Sequence, residues 1–304
     1  MNGRVMRSTG SWYDVLLENG ARIPCRIRGK IRLEGIKETN PVAVGDYVDV
    51  NMESSEGIIT SILPRTNYMV RQSVKKTGHA HVIAANLDQA LVVATMILPR
   101  TSTGFIDRFL VAAESFRIPQ VIVFNKKDLL TSESMTYQNN LIALYEQVGV
   151  TCLMTSALKK QQPELEKILS GKTTLIAGHS GVGKSTLINL LSPAINQKVS
   201  EISDYTEKGI HTTTFAEMFQ LHANTFIIDT PGIKEFGLMD MTPEELSDYF
   251  PEMRELRLSC KFGSRCLHLN EPQCAIKEAV TKGTIALSRY ENYLSILTGE
   301  DNRK

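Results

Sequence analysis

Eight consecutive residues, Gly178-His179-Ser180-Gly181-Val182-Gly183-Lys184-Ser185, fit the pattern G-x-x-x-x-G-K-[ST]. In that pattern the glycines let backbone N–H groups curl around a β-phosphate at a helix N-terminus. Lys184 would pair with the β- and γ-phosphates, and the Ser185 hydroxyl would bind Mg²⁺. Thr186 completes the set. The plain alternative is a glycine-rich turn with no ligand. Context argues against it, because an apolar run, Thr173–Ala177, precedes the motif and a helical stretch, Thr186–Leu191, comes after it.

Asn125-Lys126-Lys127-Asp128 follows another apolar run, Val121–Phe124. A carboxylate only accepts, so Asp128 can take guanine N1–H and the 2-amino group together. Adenine offers neither donor. A site built this way rejects a base that leaves a buried polar group unpaired. The Lys126 stem would lie along the base plane. Thr155-Ser156-Ala157, after the strand-like Val150–Met154, looks like the base-contacting loop of GTPases, which adds Ser156 and Ala157. N-K-x-D alone is weak and would also suit a polar strand-to-helix loop. Beside a phosphate loop it gains force.

Asp229-Thr230-Pro231-Gly232 matches the D-x-x-G of a second switch. Asp229 would hold Mg²⁺ through water, and the Gly232 N–H would sense the γ-phosphate. Between this motif and the phosphate loop lies Lys208-Gly-Ile-His-Thr-Thr-Thr214, and Thr213 is the favoured Mg²⁺ ligand among its threonines. The rival account is a threonine-rich lead into a strand. Many GTPases place a glutamine after D-x-x-G to orient water. Here Ile233 stands there, so intrinsic turnover should be slow. His211 is the candidate to orient water instead. Its alternative is packing or RNA contact.

Along the chain the motifs run Asn125–Asp128, Ser156–Ala157, Gly178–Thr186, Thr212–Thr214 and Asp229–Gly232. An ordinary GTPase has the phosphate loop first. The order is therefore a circular permutation, which a fold tolerates when the new termini lie in a surface loop. One consequence is that the second switch runs directly into the C-terminal segment.

Cys260, Cys266, His268 and Cys274 crowd into one short stretch. In a reducing compartment such a cluster reads as a metal site before it reads as disulfides. Three thiolates and an imidazole suit a closed tetrahedral Zn²⁺ site with no place for catalytic water, hence a structural one. Cys25 and Cys152 lie in strand-like runs and read as core residues.

Three segments must position these groups. Residues 1–72 look all-β, with runs at Trp12–Leu17, Ile23–Ile27, Tyr47–Val50 and Ile58–Leu63 and a hairpin signal at Asn19-Gly20. A small closed barrel hides strand edges in so short a domain, and the OB-fold is one that often binds nucleic acid. Residues 73–237 alternate apolar runs with helical patterns, which argues for a mainly parallel sheet covered on both faces. Its runs include Ala90–Thr95 and Thr225–Ile228. Phe105, Ile106, Phe109, Leu110, Ala113 and Phe116 make one helical face, and further helices are expected around Leu141–Val148 and Leu165–Leu169. Residues 238–304 turn mainly helical. Thr242-Pro243-Glu244-Glu245 reads as a capped helix start, and the final helix carries Leu287, Tyr290, Tyr293, Leu294 and Leu297.

A net charge of +1 over 304 residues advertises neither nucleic acid nor membrane. Residues 1–40 are nevertheless basic, with Arg4, Arg7, Arg22, Arg26, Arg28, Lys30, Arg32 and Lys37 against Asp14, Glu18, Glu34 and Glu38. With no signal-like segment and no membrane-length apolar run, a cytoplasmic monomer is expected.

In this permuted order and with this cysteine cluster, the chain resembles the ribosome small-subunit-dependent GTPase family, the RsgA/YjeQ type, over its whole length. One departure is the five residues between Cys260 and Cys266, where family members usually show four. The resemblance implies an N-terminal OB-fold, a permuted GTPase domain and a zinc-binding C-terminal domain. It also implies GTP hydrolysis to GDP stimulated by the small ribosomal subunit, contact with its rRNA, and a role in its late maturation. Two other readings compete. One is a nucleotide-gated RNA-binding adaptor. The other is a metal-insertion GTPase, which a closed four-ligand site disfavours because delivery needs an exchangeable metal.

Overall fold

The computed structural model describes residues 1–27, 41–53, 56–72, 80–156, 158, 161–192, 216–229 and 241–300. The first five strands are β1 (Asn2–Ser8), β2 (Tyr13–Leu17), β3 (Arg22–Ile27), β4 (Tyr47–Glu53) and β5 (Glu56–Ile62). They run β1-β2-β3-β5-β4, and β4 pairs back onto β1, so the sheet closes. Of these pairings β3–β5 is parallel and the rest are antiparallel. Alternation fills the interior: Tyr13, Val15 and Leu17 point inward to meet Val5, Cys25, Val48, Val50 and Ile59. This is the expected barrel, with Cys25 in its core. The Asn19-Gly20 turn forms as read, with Gly20 at φ 83° and the Ala21 N–H donating to Asn19 Oδ1. Strand β1 escaped the sequence reading because its arginines and glycine break the apolar pattern.

Beyond the barrel, β6 (Tyr68–Gln72) and β7 (Ala80–Ala85) form a hairpin. The central sheet has the order β10-β9-β8-β11-β13-β12, built from β8 (Gln89–Ala94), β9 (Gln120–Phe124), β10 (Thr151–Met154), β11 (Thr173–Ala177), β12 (Glu217–His222) and β13 (Thr225–Asp229). All pairings are parallel except β12–β13. The helices are α1 (Thr103–Glu114), α2 (Ser132–Gln147), α3 (Pro163–Leu169) and α4 (Lys184–Leu191). Period-2 alternation covers both faces. Ala90, Val92, Ile122 and Leu175 pack with α1 and α2. Leu91, Val93, Val123 and Ile176 pack with α3 and α4.

Arg4 shows how barrel and sheet are joined. It is buried, stacks 4.9 Å from both the Tyr47 and Phe226 rings, and donates to Thr173 Oγ1 at 2.9 Å and to the Asn86 carbonyl. Burial pulls its guanidinium below the usual arginine range, and Tyr47 and Asp88 oppose that shift. A bridge from Arg7 to Glu217 continues the ladder from β1 to β12.

The C-terminal segment packs α5 (Pro251–Arg254), α6 (Ala275–Thr281) and α7 (Leu287–Thr298) around Leu246, Phe250, Ile276, Ile285 and Tyr293. Val111 of α1 belongs to the same cluster. The capped α-helix expected at Thr242 is not there. Glu245 Oε2 does accept from the Thr242 N–H at 3.0 Å, but a turn leads into a 3-10 helix, Leu246–Tyr249. Phe250, extended ahead of Pro251, ends it, and Pro251 starts the next helix.

Arg4→Ala should destabilise the fold by about 1–3 kcal/mol, because it strips a hydrogen-bonded charge from between two cores. Thermal unfolding measures it, and an unchanged midpoint would contradict this view of the junction.

Candidate functional site

The parallel strands deliver their carboxyl ends to one edge. From β8 the chain steps outward to β9 and β10, then returns to β8's other side with β11. Such a reversal leaves a crevice beyond the strand ends, where ligands of open α/β sheets bind. The loops after β9, β10, β11 and β13 carry the residues singled out by sequence, and the structure brings the described ones together.

Asn125 is 1% exposed and acts as a staple. Its Nδ2 donates to the Val182 carbonyl at 2.9 Å, and its Oδ1 accepts from Thr155 Oγ1 at 3.0 Å. One side chain thus binds the loops after β9, β10 and β11. Lys126, at φ 63°, reaches across to the carbonyls of Gly181, at 2.7 Å, and Leu98. Asp128 stands exposed on the rim, and the buried Ser156 hydroxyl donates to its Oδ1. Lys127 lies in the 3-10 turn between them, exposed, with its N–H on the Thr155 carbonyl at 3.0 Å.

The phosphate loop rises from β11 into α4. Val182 is fully buried and Ser180 is exposed, while Ser185 and Thr186 lie exposed in the first turn of α4. Gly183 sits at φ 94°, and a Cβ there would collide with Asn125 Nδ2. Gly178 likewise has Val93's carbonyl where a Cβ would be. Lys184 Nζ donates to the Gly178 and His179 carbonyls at 2.7 and 2.9 Å. Burial lowers its pKa from the usual lysine value, and the Asp229 charge opposes that shift. Asp229, at the end of β13, therefore lies within electrostatic reach of Lys184. Ala157, His211, Thr213 and Gly232 lie outside the described residues.

Sequence reading missed two supports. The segment between β8 and α1 folds back on itself, with Thr95 N–H on Thr101 Oγ1 at 3.0 Å and Thr101 N–H on the Thr95 carbonyl at 2.7 Å. It presents the Leu98 carbonyl to Lys126. His179 packs on Phe105 of α1 with ring centroids 3.9 Å apart. The only sequence signal was a phenylalanine on the helical face.

Cys260, Cys266, His268 and Cys274 are all buried, and their ligand atoms lie within 4.8 Å of one another. Tetrahedral Zn²⁺ has edges of about 3.8 Å between sulfurs and about 3.5 Å from sulfur to nitrogen. Here Cys260 Sγ lies 3.9 Å from Cys274 Sγ and 3.6 Å from His268 Nδ1, and Nδ1 lies 3.3 Å from Cys274 Sγ. The donor set thus fits a metal, with Nδ1 as the imidazole donor. Burial pushes the Cys266 thiol up to about 12 and His268 down to about 4. Both shifts favour neutral groups, so a cation is what would draw out thiolates. The loop is held from outside. Tyr290 and Tyr293 hydroxyls donate to the His268 and Leu267 carbonyls at 2.5 and 2.9 Å, and Glu271 accepts from the Leu267 and Leu269 N–H groups. In the sequence both tyrosines mark only a helix face. Cys152, half-buried on β10, is no part of the cluster.

Gly183→Ala should weaken guanine-nucleotide binding by about tenfold to a hundredfold, since the collision is with the staple itself. Titration with a fluorescent GDP analogue checks this; wild-type affinity would contradict it.

The comparisons with known proteins agree along the whole chain. The RsgA N-terminal domain model matches residues 2–59, and the RsgA GTPase model matches residues 62–239. A protein of Christiangramia forsetii, named small ribosomal subunit biogenesis GTPase RsgA, is 49% identical over 99% of this chain and 97% of its own length. A Bacteroides fragilis protein of the same name is 47% identical over 100% of this chain and 98% of its own. The crystal structure of YjeQ from Thermotoga maritima superposes with a TM-score of 0.78 at 34% identity, covering 100% of this chain and 99% of that one. YloQ, described as a circularly permuted GTPase, gives a TM-score of 0.73 at 33% identity over 100% and 96%. With the closed barrel, the permuted loops and the Cys3His cluster all in place, the chain belongs to the RsgA family of GTPases.

Proposed function

We propose that this GTPase binds the small (30S) ribosomal subunit, hydrolyses GTP to GDP and phosphate under its stimulus, and so assists its late maturation. The observation that carries the nucleotide part is Asn125 joining the base-reading loop to the phosphate loop. The partner comes from the names of relatives that match nearly the full length of the chain.

In this reading Asp128, oriented by Ser156, accepts from the guanine edge, and the Lys126 stem and Ala157 border the base. The backbone of Gly178, His179, Ser180, Gly181, Val182 and Gly183 surrounds the phosphates at the N-terminus of α4, with Thr186 beside them. Lys184 leaves its carbonyl partners to pair with β- and γ-phosphate oxygens. Ser185, Asp229 and Thr213 would hold Mg²⁺, which neutralises charge developing between the phosphates. Gly232 senses the γ-phosphate, and His211 orients water where Ile233 cannot. Cys260, Cys266, His268 and Cys274 would hold one structural Zn²⁺. We assign residues 1–72 to RNA contact, 73–237 to the GTPase and 238–304 to the zinc-binding domain, in a cytoplasmic monomer. Among the described residues no helix is long and apolar enough to cross a membrane.

GTP turnover by the protein alone, with small subunits and with large subunits tests this. The expected result is slow basal turnover and strong stimulation by small subunits only. Equal, feeble rates in all three would overturn it and favour a nucleotide-gated adaptor.

A further inference from the structure

Helix α1 lies between the phosphate loop and the Cys3His domain, and touches both through specific groups. On one side Phe105, 1% exposed, packs its ring against His179. His179 is also a carbonyl partner of Lys184. Two residues on, Asp107 is fully buried. A helix turns about 100° per residue, so the two side chains leave α1 on nearly opposite sides, about 3 Å apart along its axis.

Two of the three side chains that bind Asp107 come from the C-terminal side, and Tyr145 of α2 is the third. Asp107 Oδ1 accepts from Arg289 Nη1 at 2.5 Å and Tyr145 OH at 2.9 Å, and its Oδ2 accepts from Asn292 Nδ2 at 2.6 Å. Arg289, 2% exposed, forks onto both Glu252 oxygens at 2.7 and 3.1 Å and lies 4.7 Å over the Phe250 ring. The same helix α7 carries Tyr290 and Tyr293, which hold the Cys3His loop. At the far end of α1, Glu114 pairs with Arg254, and just beyond it Arg117 Nη2 pairs with Asp248 Oδ2 at 2.7 Å.

Apolar packing would dock two helices at least as stably, because a buried ion pair offsets its desolvation only with good geometry. What the pair adds is one permitted arrangement. A planar guanidinium held by two carboxylates and a ring resists sliding, so a tilt of the Cys3His domain would pull on Asp107, against the Tyr145 hydroxyl that ties the same carboxylate to α2. The helix then carries Phe105.

We propose that α1 is the lever through which the Cys3His domain sets the phosphate loop, with Arg289, Asp107 and Phe105 as positioning residues for subunit-stimulated hydrolysis. This rests on the reading that the small subunit stimulates turnover. It supplies a route to the site separate from the second switch, whose residues precede the C-terminal domain in the chain. Contact with the subunit at the Cys3His domain shifts α1, and the Phe105–His179 stack passes the shift to the loop that carries Lys184.

The test uses full-length Arg289→Lys, which keeps the charge and loses the fork, together with Asn292→Ala and Phe105→Leu. Turnover is measured alone and at rising small-subunit concentration, with zinc content and cosedimentation as controls. Arg289→Lys and Asn292→Ala should keep their zinc, their subunit binding and the wild-type basal rate. Their kcat at saturating subunits should fall by about tenfold, with the half-saturating subunit concentration unchanged. Phe105→Leu should lower the ratio of stimulated to basal rate similarly, and the Phe105→Leu/Arg289→Lys double variant should be no worse than the worse single one. Full stimulation in the single variants, or losses that multiply in the double, would overturn the lever. If Arg289→Lys fails to fold, Asn292→Ala and Phe105→Leu decide the matter alone. If the wild-type protein is itself unstimulated, it is the functional reading that fails.

Discussion

The candidate nucleotide site is organised around the side-chain amide of Asn125. Buried between three strand-end loops, it donates to the phosphate loop through the Val182 carbonyl and accepts from the base-side loop through Thr155. Left alone, these loops would be three separate surface segments. A buried amide holds them in register because leaving its donor or acceptor unmade costs about 1–3 kcal/mol. Gly183 is explained by the same contact, since no side chain fits against Nδ2. The Lys126 bridge to Gly181 and Leu98 then adds a second tie over the top.

This explains why motif order along the chain is free to change. The sheet needs β8, β9, β10, β11 and β13 side by side with carboxyl ends together, and the staple needs only that their loops meet. Neither depends on which strand comes first. Permutation does change the segment attached to the end of the last strand. Chain leaving β13 enters the Cys3His domain, and that domain in turn lies against α1, which comes directly after the first strand of the sheet. The two ends of the GTPase segment thus both border the C-terminal module.

Much of this was legible in the residues. Continuous apolar runs placed nearly every central strand, and glycine spacing with Lys184 marked the turn into α4. Ligand type and crowding marked the Cys3His cluster. The illegible parts had opposite local and tertiary signals. β1 reads as polar because Arg4 is buried by stacking and hydrogen bonds made to residues far along the chain. β12 mixes Glu217, Gln220 and His222 with its apolar residues, and Gln220 and His222 lie outward. The start at Thr242 carries a capping pair, yet the chain there makes a turn and a 3-10 helix before Pro251 opens the next helix. Around the site, Phe105, Tyr290 and Tyr293 look in the sequence like ordinary helix-face residues, because a contact across folded elements leaves no spacing to read.

The most direct measurement is guanine-nucleotide affinity of Asn125→Ala, read alongside its melting temperature and metal content. The expected result is a folded, metal-binding protein whose affinity for both GDP and a GTP analogue falls by about a hundredfold, as base and phosphate loops separate. Wild-type affinity in that folded variant would contradict the claim that this amide assembles the site.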